Sequence, residues 1–323
     1  MKILNYKIYY FLGIGGIGMS ALARYFKHYG KNVIGYDKTA SPLCKQLEAE
    51  DITCYYDENV DRLKSILKSY SPEEVMIVYT PAIPIEHLEW IYLNKQNYSI
   101  LKRSQVLGAI TKQFKTIAIA GTHGKTTTTT MVTHLLKSAG INCFSFMGGI
   151  SKNYNTNLLL GNINDPNTYV VVEADEYDRS FLTLEPYIAL VTSVDADHLD
   201  IYANANEVKE SYFLFTQKLK ENGILIVKKN VDNELHLTHK RLIYSLNLDT
   251  EYSAQSIDIE NTQFIYDIKS PVECISRVNL GLPGMHNVEN SIAAVAIAQQ
   301  LGIKADVIKK ALRSFNGVKR RFD

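Results

Sequence analysis

Residues 8–18 read IYYFLGIGGIG, an apolar run that passes directly into the glycine-rich loop GIGGIG. The run favours a buried strand, and Met19 to Tyr29 carry apolar residues at the three- and four-residue spacing of a helix. A glycine loop between a strand and a helix fits the G-x-G-x-x-G pattern of nucleotide-binding folds. Asp37 follows the next predicted strand, Val33 to Tyr36, where an acid can accept hydrogen bonds from a ribose or a base. These residues predict a Rossmann-like unit with a nucleotide or nucleotide-sugar site.

The first glycine loop alone leaves the ligand open. Its glycines permit a tight turn and a close approach of the backbone to a phosphate, and the helix start supplies unpaired N–H groups. The same loop could also serve only to pack the helix against the strand. The motif does not distinguish NAD from another diphosphate.

A second glycine loop, GTHGKT at 121–126, lies between a predicted strand, Thr116 to Ala120, and a predicted helix, Thr126 to Ser138. Its Gly-Lys-Thr core is that of a P-loop, in which backbone amides hold phosphates, the lysine neutralises them and the threonine hydroxyl contacts Mg²⁺. The general pattern has a glycine where this chain has Ile119, which indicates a specialised P-loop. Thr127 to Thr130 are weak helix formers and are expected to line the nucleotide or to pack.

Acidic residues follow two further predicted strands. Tyr169 to Val172 runs into Glu173, and Ile188 to Val194 runs into DADHLD at 195–200, which contains His198. Ligands of a parallel sheet gather at the carboxyl ends of its strands. Glu173 is therefore a predicted Mg²⁺ ligand, and His198 is predicted to ligate a second metal or to contact a substrate phosphate. Helix capping and solvation are the alternatives for the other acids, Asp175, Glu176, Asp197 and Asp200.

A pair of asparagines precedes a strongly apolar helix predicted from Ser291 to Leu301. Asn287 and Asn290 are three residues apart and therefore share one helical face. Their amides can pair with both the donor and the acceptor edge of adenine, although N-capping would account for one of them.

Strand and helix patterns alternate along most of the chain, which predicts an α/β architecture with parallel pairing. We expect a Rossmann-like domain at 1–108 and a central P-loop ATP-binding domain at 109–316. Ala205 to Glu221 predicts a helix that ends at Gly223, and the alternation from Tyr244 to Asn279 predicts a small additional antiparallel sheet.

The composition is that of an ordinary globular protein. The chain has 323 residues and a net charge of +1, so no overall field favours nucleic acid or an anionic membrane. No apolar run approaches the ~18 residues that span a bilayer, and the N-terminus reads as a strand, not a signal peptide. The cysteines form no CxxC pair and are expected to be reduced and buried: Cys44, Cys54, Cys143 and Cys274.

Taken together, these segments resemble the Mur ligase family. The matching segments lie in family order: GIGGIGMSALA (13–23), GTHGKTTTT (121–129), EADEYDRSF (173–181), DADHLD (195–200), GLPGMHNVENSIAA (281–294) and GVKRRF (317–322). The resemblance implies a UDP-sugar domain, an ATPase domain and a third, C-terminal domain. In the alanine-adding branch it implies that ATP phosphorylates the lactyl carboxylate of UDP-N-acetylmuramate, and that the amine of L-alanine attacks the acyl phosphate.

The resemblance also implies a role for each motif residue. The substrate-binding residues would be Gly15, Gly16, Ile17, Gly18, Met19, Ser20 and Asp37. The ATP-binding residues would be Gly121, Thr122, His123, Gly124, Lys125, Thr126, Thr127, His286, Asn287 and Asn290. The metal ligands would be Thr126 and Glu173 for Mg²⁺ and His198 for a second metal. The catalytic residues would be Lys125, Glu173, His198 and Arg321, with Arg321 near the γ-phosphate.

The chain departs from the family pattern in three places. The segment VKESYFLFTQK (208–218) offers no clear counterpart of the carbamylated lysine of some relatives, as in the alanine-adding branch. Ser193 stands where asparagine is expected. The sequence ends at Asp323, within the linker-like stretch 317–323. We therefore expect an absent amino-acid-binding domain, and a chain that binds nucleotides but turns over poorly.

Three other interpretations stay open on the sequence. A murein-peptide recycling ligase would act on the same UDP-sugar. A nicotinamide-dependent oxidoreductase would use the first glycine loop but would leave the P-loop and Glu173 unexplained. A non-catalytic nucleotide sensor would not need a second metal. For the favoured interpretation we expect UDP-N-acetylmuramate and L-alanine as substrates, ATP and Mg²⁺ as cofactors, a cytoplasmic location, no nucleic acid and no membrane insertion. A homodimer is left open.

Overall fold

The computed structural model forms two compact units, Met1–Ile110 and Thr111–Asp323, each with its own sheet and apolar core. The residues that the structure describes are 3–195, 202, 204–237, 240–247 and 249–319.

The described part of the first unit alternates strands and helices: β1 (Ile8–Leu12), α1 (Ile17–His28), β2 (Asn32–Tyr36), α2 (Pro42–Ala49), β3 (Thr53–Tyr55), α3 (Val60–Leu67), β4 (Val75–Tyr79), α4 (Leu88–Leu93), β5 (Ser99–Lys102) and α5 (Arg103–Thr111). The strands pair in parallel in the order β3-β2-β1-β4-β5. The order reverses between β1 and β4, which is where doubly wound folds bind ligands. The predicted α/β class with a Rossmann-like first unit is confirmed.

The core of this unit explains why the strand and the helix around the first glycine loop form where predicted. All of β1 is buried, and Tyr9 stacks on Phe26 of α1 with ring centroids 3.9 Å apart. On the other side of the sheet, the hydroxyl of Tyr10 donates to the fully buried carboxylate of Glu89 at 2.7 Å. The backbone N–H of Asn59 donates to the same carboxylate at 3.1 Å. The buried charge is therefore hydrogen-bonded, as a charge removed from water must be.

The second unit contains a larger mixed sheet. Its described elements are β6 (Lys115–Ala120), α6 (Lys125–Ser138), β7 (Cys143–Ser151), β8 (Thr156–Leu159), β9 (Tyr169–Glu173), β10 (Ile188–Val191), α7 (Ala205–Thr216), β11 (Ile224–Lys228), α8 (Lys229–Leu235), β12 (Arg241–Ser245), β13 (Tyr252–Glu260), β14 (Gln263–Lys269), β15 (Ile275–Leu280), α9 (Met285–Gln300) and α10 (Ala305–Ser314). The strand order is β15-β14-β13-β12-β11-β10-β6-β9-β7-β8. Helices α6 and α9 pack together against one face and supply much of the core.

The predicted antiparallel strands are present but do not form a separate sheet. β13, β14 and β15 pair antiparallel, as the alternation indicated. β13 also pairs in parallel with β12, through Tyr244 opposite Tyr252 and Ser245 opposite Ser253. The central sheet therefore continues into these strands.

Helix α7 is shorter than predicted and ends at Thr216, not near Glu221. The Thr216 hydroxyl donates to the Phe213 carbonyl at 2.7 Å, and Lys220 N donates to the Pro186 carbonyl at 2.8 Å, outside the helix. Asn222, and not Gly223, takes the left-handed conformation, with φ of 61°. The chain leaves the helix because its backbone bonds to the segment before β10.

The cysteine prediction is correct for burial at three of the four positions. Cys44, Cys54 and Cys143 are free and buried, whereas Cys274 is free but exposed. Cys274 lies in the turn between β14 and β15, where the sequence carries no signal that separates it from the others. Within the described ranges, no helix has the length and apolar character needed to cross a membrane.

The segment after α10 joins the sheet again. Val318 forms an antiparallel bridge with Ser151 of β7. Lys152 N donates to the Gly317 carbonyl and Lys319 N donates to the Ile150 carbonyl, each at 2.9 Å.

His134 connects three parts of this unit. Its Nδ1 lies 2.8 Å from the Tyr154 hydroxyl in the β7–β8 turn, and its Nε2 lies 2.9 Å from Oγ of Ser314 at the end of α10. The ring is buried, and this burial lowers the pKa of His134. The folded protein therefore holds the imidazole neutral, while the unfolded chain protonates it in the ordinary histidine range.

We predict that His134→Gln reduces the pH dependence of stability. As the pH falls, the imidazole of the unfolded chain takes up a proton at a higher pH than the buried imidazole of the folded protein. The contribution of His134 to the free energy of unfolding is therefore fully present above the ordinary histidine pKa and is lost as the pH falls below it. The midpoint of thermal unfolding, measured from about pH 7.5 to about pH 5.5 across that pKa, should fall less in the variant than in the unmodified chain. His236→Gln, at an exposed histidine of the same unit, is the control; equal slopes in the two variants would contradict the prediction.

Candidate functional site

The P-loop follows β6, and its glycines are required by its geometry. Gly121 and Gly124 have φ of 129° and 84°, which side chains with a Cβ rarely adopt. A Cβ on Gly121 would overlap Thr192, and one on Gly124 would lie 2.7 Å from Oδ1 of Asn290. These two positions bring the loop against the end of β10 and against α9.

Ser193 fastens the P-loop to the neighbouring strand. The backbone N–H of His123 donates to Oγ of Ser193 at 2.8 Å, and that of Thr122 donates to the Ser193 carbonyl at 3.2 Å. The Thr122 hydroxyl donates to the Asp195 carbonyl at 3.0 Å. β10 ends at Val191, earlier than predicted, because the next residues bond to the loop instead of continuing the sheet. The serine that departs from the family pattern thus has a structural role here.

Lys125 begins α6 and points back over the loop. Its Nζ donates to the Gly121 carbonyl at 2.6 Å, to the Thr122 carbonyl at 3.3 Å and to Oε1 of Glu176 at 2.8 Å. An ammonium group has three donors, and these contacts use all of them. The lysine is therefore held at the mouth of the loop, where phosphate oxygens would approach backbone amides.

Thr126 and Glu173 are the residues that fit a divalent cation. The Thr126 hydroxyl donates to Oε1 of Glu173 at 3.0 Å, and the Gly148 N–H donates to Oε2 at 3.1 Å. A hydroxyl and a carboxylate beside a phosphate-binding loop are the hard oxygen ligands that Mg²⁺ prefers. Within the described ranges, this site included, no three His, Cys, Asp or Glu side chains cluster as a metal site.

A cavity of about 400 Å³ opens beside the P-loop. Its lining residues are His123, Gly124, Thr127, Thr192, Ser193, Asp195, Lys228, Tyr244, His286, Glu289 and Asn290. Nζ of Lys228 is paired with Oε2 of Glu289 at 2.8 Å on the wall. The cavity thus joins the predicted phosphate loop to the predicted base-binding helix.

The two predicted asparagines occupy different environments. Asn290 lines the cavity and lies against Gly124. Asn287 is fully buried, and its Nδ2 donates to the Pro283 carbonyl at 2.6 Å. Both lie within α9, which begins at Met285 and not at the predicted Ser291, because Gly284 with φ of 109° opens the helix.

In the first unit, the glycine loop is tied to Asp37. Gly15 N donates to Oδ2 of Asp37 at 2.8 Å, and Thr39 N donates to Oδ1 at 3.1 Å. A Cβ on Gly18 would lie 2.8 Å from Nη1 of Arg103 at the start of α5. A carboxylate and a guanidinium therefore flank the loop.

The remaining substrate-binding predictions fall around the start of α1. Gly16 accepts a hydrogen bond from Ser20 N at 2.8 Å, and Oγ of Ser20 donates to the Ile17 carbonyl at 3.0 Å. Met19 and Ser20 are buried. The loop backbone, and not these two side chains, is thus the accessible part of the motif.

Two predicted catalytic residues, His198 and Arg321, lie outside the described residues. Sequence reasoning missed several residues of the cavity and P-loop: Glu176, Thr192, Lys228, Tyr244 and Glu289. Glu176 carried a signal, since it lies in the acidic run after β9, whereas the others have no local pattern.

Family models match both units. A model described as "Mur ligase family, catalytic domain" matches residues 8–115, and one described as "Mur ligase middle domain" matches residues 119–298. The chain belongs to the Mur ligase family. The predicted enzyme class, an ATP-dependent ligase, is confirmed by this membership.

The relatives of this Mur ligase include curated proteins and solved structures. UDP-N-acetylmuramate–L-alanine ligase of Cytophaga hutchinsonii is 44% identical over 100% of this chain and 69% of its own length. That of Flavobacterium psychrophilum is 47% identical over 97% of this chain and 67% of its own. The structure of UDP-N-acetylmuramate-alanine ligase from Thermotoga maritima matches with a TM-score of 0.84 and 26% identity, over 98% of this chain and 70% of that one. A ligase of UDP-N-acetylmuramate and a tripeptide from Neisseria meningitides shares the fold, with a TM-score of 0.85 at 24% identity, over 98% of this chain and 100% of that one.

Gly148→Ala in this Mur ligase should weaken Mg²⁺-dependent nucleotide binding. The added Cβ would overlap the Glu173 carboxylate, and so would push it away from Thr126. Loss of a residue that orients a metal ligand typically lowers metal affinity by about 10- to 100-fold. Calorimetric titration of ADP at increasing Mg²⁺ concentration measures the effect.

Gly161→Ala is the matched control, since the nearest atoms to its Cβ belong to Asn142 and Cys143 and not to Glu173. Equal losses in the two glycine variants would mean that general destabilisation, not Glu173, causes the effect.

Proposed function

We propose that this chain catalyses, or contributes to, the ATP-dependent joining of L-alanine to UDP-N-acetylmuramate. The observation that carries the proposal is the contact between Thr126 and Glu173 and the position of Lys125 on the P-loop, whose neighbouring residues Gly124 and Thr127 line the same cavity as Asn290. This arrangement supports the proposal, because a lysine, a hydroxyl–carboxylate pair and an amide would meet the phosphates, the Mg²⁺ and the adenine of Mg·ATP in turn. ATP would transfer its γ-phosphoryl group to the lactyl carboxylate, and the alanine amine would displace phosphate to form the amide.

The second unit supplies positioning and charge neutralisation, which phosphoryl transfer between anions needs most. The amides of the Gly121–Thr126 loop would hold the phosphate oxygens, and Lys125 would neutralise their charge. Mg²⁺ supplies further neutralisation of the phosphates when bound, and Thr126 and Glu173 would hold it. Ser193 keeps the loop in place through the His123 amide. The Asn290 amide would accept a hydrogen bond from the adenine edge and donate one to it.

The first unit would bind the UDP part of the acceptor. Its glycine loop lies at the point where the strand order reverses, and the start of α1 offers backbone N–H groups to a diphosphate. Asp37 would support the loop through Gly15. Since both reactants are charged, water-soluble metabolites, we place the reaction in the cytoplasm.

The choice of alanine rests on the relatives. Proteins named as alanine ligases match the chain at 44% and 47% identity, whereas the tripeptide ligase shares the fold at 24%. Among the described residues, nothing in the site favours an amino acid by itself.

We expect this chain to bind UDP-N-acetylmuramate and Mg·ATP, and not NAD. Separate calorimetric titrations with the three ligands test this, because two different sites should each give one binding event. Lys125→Ala should abolish or strongly weaken ATP binding and leave the UDP-sugar affinity unchanged, since the two glycine loops belong to different units.

Binding of NAD without any response to the UDP-sugar would overturn the proposal in favour of an oxidoreductase. If Lys125→Ala bound neither ATP nor the UDP-sugar, the variant would have a folding defect. The titrations would then be repeated with Lys125→Arg, which keeps the charge.

A further inference from the structure

Glu176 is a buried carboxylate that the mechanism above leaves without a role. It is 2% exposed, and both of its oxygens lie 2.8 Å from Nζ of Lys125. Only a small fraction of the Lys125 side chain is exposed, 12%. Nearby, burial and then the charge of Glu176 raise the pKa of Tyr212, so its phenol stays protonated. A charge pair removed from water to this extent is costly unless its geometry is good and its other contacts are satisfied.

The turn that carries Glu176 is built in an unusual conformation. Asp178 and Arg179 are consecutive non-glycine residues with φ of 55° and 51°, a left-handed conformation that is unfavourable for residues with a Cβ. The turn is held by Phe181 N, which donates to the Asp175 carbonyl at 3.0 Å, and by the Tyr202 hydroxyl, which donates to the Glu176 carbonyl at 2.6 Å. Such strain persists where the surroundings fix it, and it is concentrated at functional sites.

We propose that Glu176 is a positioning residue, which orients the ammonium group of Lys125 toward the β- and γ-phosphates of the nucleotide. The inference rests on the proposed function, because it deepens the role of the same loop. Of the three acceptors of Lys125, the Thr122 carbonyl is the most distant, at 3.3 Å. The N–H that donates to the Thr122 carbonyl is therefore the one that can most easily donate to a phosphate oxygen instead. Meanwhile the charge-assisted hydrogen bond to Glu176 keeps the ammonium group in place. Protein kinases hold their phosphate-binding lysine with a glutamate on the same principle.

The alternative is that the pair contributes only to folding. Neutralising Glu176 would then lower stability without regard to which nucleotide is bound. Positioning predicts a different outcome, since only ligands that reach Lys125 are affected. ADP and ATP carry the β-phosphate, whereas AMP does not.

The test is calorimetric titration of the chain with Mg·ATP, Mg·ADP and AMP. Glu176→Gln keeps the size and one acceptor oxygen but removes the charge, and should weaken ATP and ADP binding about ten-fold. AMP binding should not change. Glu176→Asp keeps the charge on a shorter side chain and should recover part of the affinity. Glu207→Gln is the matched control, because Glu207 pairs with Arg179 of the same turn at 3.2 Å and should leave all three affinities unchanged.

Unchanged or tighter ADP binding in Glu176→Gln would overturn the positioning role, and so would an equal loss for AMP and ADP. If the unmodified chain binds neither ATP nor ADP, the proposed function itself fails, and the inference fails with it. If the unmodified chain binds ATP and ADP and Glu176→Gln binds them with the same affinity, only the positioning role of Glu176 is overturned and the proposed function stands.

Discussion

Backbone hydrogen bonds between β6 and its two parallel neighbours bring three loops to one edge of the sheet. Ile119 is opposite Glu173 of β9, and Ala120 is opposite Val191 of β10. Because parallel strands in register end together, the P-loop, the acidic run after β9 and the Thr192–Ser193 segment leave the sheet side by side. The contacts among the P-loop, Glu173 and Ser193 depend on this register. A slip of one residue would turn Glu173 to the other face and separate it from Thr126.

The sequence allowed the local parts of the site to be predicted. Both glycine loops, Lys125, Thr126 and Glu173 follow from a strand, a turn and a helix start that are adjacent in the chain. Several strand and helix positions follow from periodicity, but ends that long-range bonds determine do not, as at Thr216 of α7 and Val191 of β10. The prediction of an additional sheet for β13–β15 was wrong, because alternating apolar residues predict a strand but not the strand with which it pairs.

The remaining parts could not be predicted, because they come from pairs that are distant in the chain. Ser193 is joined to His123 across 70 positions, and Lys228 to Glu289 across 61. No local pattern marks either partner. Glu176 was visible as an acid after a strand, but its burial against Lys125 depends on the left-handed turn that follows. The position of Asp37 predicts a contact with a ligand, but in the structure its carboxylate accepts hydrogen bonds from the backbone N–H groups of Gly15 and Thr39.

The return of residues 317–319 to β7 has a mechanical consequence. Two backbone hydrogen bonds and a β-bridge join Gly317–Lys319 to Ile150–Lys152. Ile150 lies two residues after Gly148, whose backbone N–H donates to the Glu173 carboxylate. Tension along the backbone at Lys319 would therefore pass through two hydrogen bonds into β7, and from there to the carboxylate beside Thr126. Residues 317–319 and the proposed metal ligand are thus joined through hydrogen bonds and the backbone of β7, so a displacement of one would alter the position of the other.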